Sequence, residues 1–146
     1  MRSGSITLCY DVGVVTSVGP DLHDALARVG AGASGLRLLV LHGSRGRGTA
    51  HAESDWDFAY EAGAGFDPDG LLASLADLLK ADRIDLVDLG RAGALLRHRV
   101  ARDGIVLFER TPGLFDRFRL DAIRTWCDLA PVLEPLYARV LETLPK

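Results

Sequence analysis

Apolar and polar residues alternate along this chain with two different periods, one typical of strands and the other typical of helices. Short apolar or alternating runs predict main strands over residues 36–41, 55–60, 84–89 and 105–109. Apolar positions at helical spacing predict helices from residue 20, over 67–80, over 91–103 and from 112 onward. A β-rich hairpin is predicted over residues 6–18, before these elements. The alternation predicts an α/β (α+β) fold whose mixed sheet carries helices mainly on one face.

The last predicted helix carries prolines and an apolar stripe. Pro131 and Pro135 lie inside it, and a proline in a helix interior removes a backbone hydrogen bond, so we expect them to bend or split the helix. Its apolar positions near the end are Leu133, Leu136, Tyr137, Val140 and Leu141. These side chains either pack within the chain or form a groove for a partner helix.

Length and charge limit the classes of function. The 146 residues suffice for one domain, which we expect to comprise an N-terminal extension (1–19), a core (36–110) and a helical segment (111–146). A net charge of −3 argues against a general nucleic-acid surface, and no apolar run is as long as a membrane span. Two cysteines are too few for a disulfide framework. We therefore expect a cytoplasmic protein that binds neither membranes nor nucleic acids directly.

A glycine-rich turn over residues 42–48 directly follows the first main strand. Backbone N–H groups at Gly43 and Ser44 could hold a phosphate there, with Arg45 and Arg47 supplying positive charge. The spacing is not that of the P-loop, because no lysine follows, and it is not that of a Rossmann turn. A different phosphate chemistry is therefore indicated.

Acidic residues follow the turn in a strand pattern. Asp55 and Asp57 share one face of a predicted strand, and Asp85 and Asp88 lie on the next strand. Neighbouring carboxylates repel each other unless a positive charge lies between them, and oxygen-only ligands suit Mg²⁺. The pattern therefore predicts a divalent metal site. Asp85 and Asp88 occupy opposite faces of their strand and compete as the third acid.

A known signature combines these features. Gly43-Ser44, ten intervening residues and the pair Asp55 and Asp57 resemble the GS-x10-DxD signature of the DNA polymerase β-type nucleotidyltransferase superfamily. The chain is most similar to the minimal nucleotidyltransferase (MNT) family of that superfamily, and the resemblance covers residues 36–110. The resemblance implies a polymerase β-type fold.

The third acid is assigned on the same resemblance. In the MNT family it lies between hydrophobic residues on a later strand, and Asp85 fits this context. Asp88, beside Gly90, is more easily explained as a cap or as strand-end solvation. The chain departs from the family at His42, where an aromatic residue is more common, and at Gly46, where alanine is common. Neither departure removes a metal ligand.

The resemblance implies in-line transfer of a nucleotide, with two Mg²⁺ ions and with ATP as substrate. Asp55 and Asp57 would hold both ions, and Asp85 would bind one of them and accept the proton of the attacking hydroxyl. The residues expected to contact the nucleotide phosphates are Gly43, Ser44, Arg45 and Arg47.

The resemblance also implies a biological role. Proteins of this family are often antitoxins that transfer AMP to a tyrosine of a HEPN-domain toxin encoded by a neighbouring gene, and that bind this toxin in a hetero-oligomer. We expect the same Mg²⁺-dependent adenylyltransferase role here. One alternative is a small-molecule nucleotidyltransferase of the aminoglycoside type. Another is a non-catalytic module that binds a toxin, although such a module has no use for three converging carboxylates.

Overall fold

The structure is a computed structural model that describes residues 18–145, so the hairpin predicted over 6–18 lies outside the described residues except for Val18. The helices are α1 (Pro20–Gly32), α2 (Gly43–Arg47), α3 (Pro68–Leu79), α4 (Ala94–Asp103) and α5 (Leu114–Thr143). The strands are β1 (Leu36–His42), β2 (Trp56–Ala62), β3 (Ile84–Asp88) and β4 (Ile105–Glu109). Their order confirms the predicted alternation of the main strands and helices, and the glycine-rich turn predicted over residues 42–48 contains the five-residue helix α2.

The four strands form one mixed sheet in the order β3-β2-β1-β4. Strand β1 is antiparallel to both of its neighbours, β2 and β4, whereas β2 and β3 are parallel. The predicted α/β class and mixed sheet are confirmed. Because β2 and β3 run in the same direction, their first residues meet at one edge of the sheet, beside the end of β1.

Helices cover both faces of this sheet, although we expected them mainly on one face. One apolar cluster contains Leu39 and Leu41 and joins β1 to α1 and α3. The other contains Leu38 and Val40 and joins β1 to α4 and α5. The physical reason lies in β1 itself, since the unbroken apolar run from Leu38 to Leu41 makes both faces of the central strand apolar. Each face therefore needs its own layer of helices.

The last helix is continuous, so of the two expected effects of its prolines, bending or splitting, splitting does not occur. Helix α5 includes both Pro131 and Pro135 in its interior. At 3.6 residues per turn, both rings lie on the side opposite to the apolar stripe, where solvent surrounds them. The carbonyl groups that lose their helical partners belong to Cys127 and Pro131, which are also exposed and can bond to water.

The apolar stripe of α5 is buried at its start and exposed at its end. Phe115, Phe118 and Ala122 lie in the cluster against α4 and β1. Of the stripe predicted near the end, Leu133 is half-buried, while the exposed members are Leu136, Tyr137, Val140 and Leu141. Packing within the chain therefore does not cover this part of the helix. None of the described helices combines the length and apolar content that crossing a membrane requires.

Candidate active site

The predicted acids lie at the edge of the sheet where β2 and β3 begin. Asp57 pairs with Asp85 in the parallel register of these strands and with His42 in the antiparallel register of β1 and β2. Paired side chains share a face of a sheet, and Ala59, two residues after Asp57, packs under α4 and α5. Asp57 and Asp85 therefore lie side by side on that face, and Asp55 immediately precedes β2.

Asp88 lies on the other face of β3, at the far end of the strand. Its partner in the register is Tyr60, and its Oδ1 accepts a hydrogen bond of 2.8 Å from the backbone N–H of Gly90. Its Oδ2 also lies 3.8 Å from Nε of Arg91. The structure thus separates Asp88 from Asp57 and Asp85 and uses it to cap the turn after β3.

Gly43 connects the glycine turn to the carboxylates. Its φ of +65° is in the left-handed region that favours glycine. A Cβ atom added there would lie 2.9 Å from Cγ of Asp57 and would collide with the carboxylate oxygen. The turn can approach the Asp57 carboxylate this closely only because residue 43 has no side chain. The GS and DxD motifs are therefore in direct contact, which their spacing alone does not show.

Arg45 holds the loop that leads into β2. Its guanidinium lies 3.9 Å from the centre of the Trp56 ring. It also donates hydrogen bonds to two backbone carbonyls, at 2.8 Å to Ser54 and at 3.2 Å to Asp55. The sequence pattern predicts a phosphate contact at this residue, whereas the structure places its guanidinium on the loop.

Two cavities meet at the site. The larger, of about 460 Å³, is lined by Gly43, Ser44, Thr49, His51, Glu53, Ser54, Asp57, Arg47, Asp55 and Arg83. The smaller, of about 270 Å³, contains Asp85 and shares Asp55 and Arg83 with the first. The structure therefore brings the predicted turn, Arg47 and the first two acids to one cavity, and the third acid to the cavity that adjoins it.

The carboxylate oxygens of Asp55, Asp57 and Asp85 are suitable ligands for a divalent cation, although the three side chains do not point to one common position. Within residues 18–145, no three His, Cys, Asp or Glu side chains stand close enough together to hold a metal ion. Asp55 Oδ1 lies instead 2.7 Å from Nε of Arg83, in an ion pair. Asp57 and Asp85 face each other across parallel strands about 4.8 Å apart, where their repulsion favours a cation between them. Hard oxygen donors of this kind suit Mg²⁺.

His42, at the end of β1, lies buried beside Asp57 and carries no charge. It is buried, and its Nε2 has no hydrogen-bond partner. Burial lowers the pKa of His42 below its ordinary value of 6.5, and the nearby carboxylates of Asp57 and Asp85 oppose this only in part. The ring is therefore uncharged at neutral pH, and it is buried at a position where an aromatic residue is more common in the MNT family.

Two residues at or near the cavities, Arg83 and Asp103, have no signal in the motifs. Arg83 lines both cavities, and Asp103 at the end of α4 lies 3.9 Å from Arg47. Asp103 belongs to an element far from the signature, so no spacing could have found it. Arg83 lies two residues before Asp85. Its place directly before the strand that carries the third acid is the one signal by which the sequence could have indicated Arg83.

A mixed four-stranded sheet with a glycine turn against paired carboxylates at one edge is the arrangement of a polymerase β-type nucleotidyltransferase domain. The family comparison agrees with the geometry. Residues 26–112 match the family described as Polymerase beta, Nucleotidyltransferase, and the chain belongs to this family.

Individual relatives are similar over large parts of the chain. Protein adenylyltransferase MntA of Aphanizomenon flos-aquae (strain 2012/KM1/D3) is 39% identical over 97 residues, which cover 58% of this chain and 64% of that protein. The match thus spans less than two thirds of the length of that relative.

Solved structures extend the similarity. A toxin-antitoxin crystal structure with AMP-PNP matches with a TM-score of 0.68 and 27% identity, over 82% of this chain and 98% of that one. The structure of a tri-AMPylated Shewanella oneidensis HEPN toxin in complex with MNT antitoxin matches with a TM-score of 0.58 and 26% identity, over 80% of this chain and 90% of that one.

Proposed function

We propose that this protein transfers AMP from ATP to a hydroxyl group of a protein, a tyrosine of a HEPN-domain toxin, and so acts as an antitoxin in the cytoplasm. The observation that carries the proposal is the direct contact between the Gly43 turn and Asp57, with Asp85 beside it. It joins groups that can bind phosphate to groups that can bind a divalent cation. The similarity to an adenylyltransferase and to toxin-antitoxin structures supports the same role.

The proposed reaction is a single displacement at phosphorus. The acceptor hydroxyl oxygen forms a bond to the α-phosphorus of ATP, and the bond from that phosphorus to the oxygen bridging to the β-phosphate breaks. AMP stays on the acceptor and pyrophosphate leaves with the electron pair. The hydroxyl proton passes to the Asp85 carboxylate, which lies beside Asp57 at the cavity edge.

The other residues bind and orient the substrate. Two bound Mg²⁺ ions would supply the charge that activates the hydroxyl and stabilises pyrophosphate. Asp55 and Asp57 would hold both ions, and Asp85 would hold one of them. Gly43 and Ser44 bind the β- and γ-phosphates, and Arg47 adds positive charge on the cavity wall. Arg45 acts indirectly, by fixing the loop that carries Asp55.

A protein acceptor is supported by the end of α5. Leu136, Val140 and Leu141 are each more than half exposed along one stripe, and exposed apolar patches mark interaction surfaces. A partner that brings the acceptor tyrosine would cover this surface while the two proteins form a hetero-oligomer.

The direct test uses ATP labelled at the α-phosphate, Mg²⁺ and the purified product of the neighbouring gene. We expect label on the partner with the wild-type protein and none with Asp57→Ala, because Asp57 lies at the contact between the turn and the carboxylates. Equal labelling by both proteins, or no labelling by either, contradicts the proposal. Pyrophosphate release that depends on an aminoglycoside, with no label on protein, would favour the small-molecule alternative.

A matched pair of acidic residues on one strand sharpens the test. Asp85→Asn should reduce the transfer rate by at least about a hundredfold, since even indirect partners of a metal site contribute about 10–100-fold. Asp88→Asn changes the same residue type on the opposite face of β3 and should leave the rate within about twofold. Equal losses in the two variants would remove Asp85 from its proposed role.

A further inference from the structure

We propose that Arg83 is a phosphate-binding residue of the nucleotide cavity, and that it stays bound to Asp55 until Asp55 exchanges it for a divalent cation. The inference rests on the proposed function, because it takes Asp55 as a metal ligand. It assigns a role to a residue that lies outside the GS-x10-DxD signature.

The contact between Arg83 and Asp55 is short but exchangeable. Nε of Arg83 lies 2.7 Å from Oδ1 of Asp55, and one terminal nitrogen donates to the Glu53 carbonyl at 3.4 Å. The two side chains remain 63% and 49% exposed, respectively. Exposed ion pairs contribute little free energy, so a divalent cation that also attracts Asp57 can displace the guanidinium.

The backbone of Arg83 fixes where its side chain can go after release. Its carbonyl accepts a hydrogen bond of 3.0 Å from the backbone N–H of Trp56, which ties the start of β3 to the start of β2. From this fixed point the side chain lines both cavities. A released guanidinium therefore stays at the boundary between the phosphate turn and Asp85.

The charges favour a phosphate as the next partner of Arg83. The larger cavity already holds Arg47, whose guanidinium lies 3.9 Å from Asp103. A triphosphate brings several negative charges into this space, and a guanidinium can bind phosphate oxygens in a bidentate manner. Asp55 thus passes from one positive partner to another, and Arg83 passes from a carboxylate to a phosphate, without leaving either charge unpaired.

The experiment measures two binding equilibria that this exchange moves in opposite directions. Mn²⁺ affinity without nucleotide is measured from the electron paramagnetic resonance signal of free Mn²⁺. Affinity for a non-hydrolysable ATP analogue, at saturating Mn²⁺, is measured by calorimetry. In Arg83→Ala we expect Mn²⁺ to bind about two- to fivefold more tightly, because its competitor for Asp55 is gone. The ATP analogue should bind roughly tenfold more weakly, because a charged phosphate contact is lost.

Arg37→Ala is the matched control. Arg37 forms a similar exposed ion pair with Glu61, at 3.4 Å and with exposures of 51% and 33%, near the opposite end of β1. Both affinities should stay at the wild-type value in this variant. Arg83→Lys, which keeps the charge but not the bidentate geometry, should retain the wild-type Mn²⁺ affinity and recover part of the affinity for the analogue.

The outcomes separate this inference from the proposed function. If the wild-type protein binds both ligands but Arg83→Ala behaves like Arg37→Ala, the inference alone is wrong. If both affinities fall together in Arg83→Ala, the residue has only a structural role and the inference is again wrong. If the wild-type protein binds neither Mn²⁺ nor the analogue, the proposed function fails, and the inference fails with it.

Discussion

The two halves of α5 carry the same kind of apolar stripe but have different surroundings. In the first half, Phe118 is 5% exposed and lies against Phe115, with ring centres 5.9 Å apart, while Arg97 of α4 covers its ring at 5.0 Å. In the second half, Leu136 is 51% exposed. Among the described residues, the ring contact between α4 and α5 that lies furthest along α5 is that of His98 with Trp126, whose ring centres are 5.1 Å apart.

This difference shows what a helical pattern does and does not specify. Periodic apolar residues determine which side of a helix avoids water, but they do not determine which element covers that side. Helix α4 has 10 residues and α5 has 30, so α4 covers only part of the stripe. Glycines and acidic residues elsewhere in the molecule also occupy either crowded or open surroundings. In each case, substitutions at a crowded and at an open position should change the free energy of unfolding by different amounts.

The largest effect is expected in the two halves of α5 themselves. Phe118→Ala should lower the free energy of unfolding by about 3–5 kcal/mol, because it leaves a cavity between α5, α4 and the sheet. Leu136→Ala, in the open half, should change it by less than about 0.5 kcal/mol. Urea denaturation of the purified protein alone measures both values. A loss of more than about 2 kcal/mol in Leu136→Ala would show that the chain does cover its own stripe.

A smaller effect is expected for glycines in crowded and open positions. Gly43→Ala should destabilise the fold by about 1–3 kcal/mol, because residue 43 has a positive φ and an added Cβ would collide with the Asp57 carboxylate. A Cβ added at Gly32 in α1 would meet no atom within 4 Å, so Gly32→Ala should be neutral or slightly stabilising. Thermal melts compare the two.

The same glycine variants also report on the site. Gly43→Ala should abolish AMP transfer even where enough stability remains for folding, since it separates the turn from Asp57. If Gly43→Ala melts at the wild-type temperature and keeps its activity, the close approach of turn and carboxylate is not required.

Sequence reasoning was most successful where the structure is local. The strand pattern placed Asp85 and Asp88 on opposite faces, and the register confirms this separation because strand parity depends only on neighbouring residues. The order of strands and helices followed for the same reason. What covers the sheet depends on long-range packing, so the second layer of helices and the exposed end of α5 could not be predicted from periodicity.

The candidate site divides in the same way. The signature identifies Gly43 and Asp57 as members of two separate motifs. Their contact depends on the left-handed backbone conformation of Gly43, which the spacing of the motifs does not show. The position of Arg45 over Trp56 and the ion pair of Arg83 with Asp55 depend on how one loop folds. The motif therefore predicts a phosphate contact at Arg45 but not its stacking on Trp56, and it contains no signal for Arg83.

The smallest effect is expected for acidic residues in ion pairs. Asp103 accepts two hydrogen bonds of 2.8 Å from Arg102, and these bonds hold the pKa of Asp103 below its ordinary value of 3.8. Its side chain is only 14% exposed and also faces Arg47. Asp77 instead forms a largely exposed pair with Lys80 at 3.1 Å. Asp103→Asn should cost about 1 kcal/mol at neutral pH, and Asp77→Asn should cost less than about 0.5 kcal/mol.

The pH dependence distinguishes a charge effect at Asp103 from a packing effect. A carboxyl group whose pKa is lower in the folded protein stabilises the fold above its unfolded-state pKa, and this contribution is lost as the pH falls through the lowered value. The difference between wild type and Asp103→Asn should therefore be full near neutral pH and should shrink as the pH falls below about 4. Urea denaturation of both proteins, near neutral pH and below about pH 4, measures this difference in the free energy of unfolding. A difference that stays constant down to about pH 3 would show that Asp103 contributes through shape and not through charge.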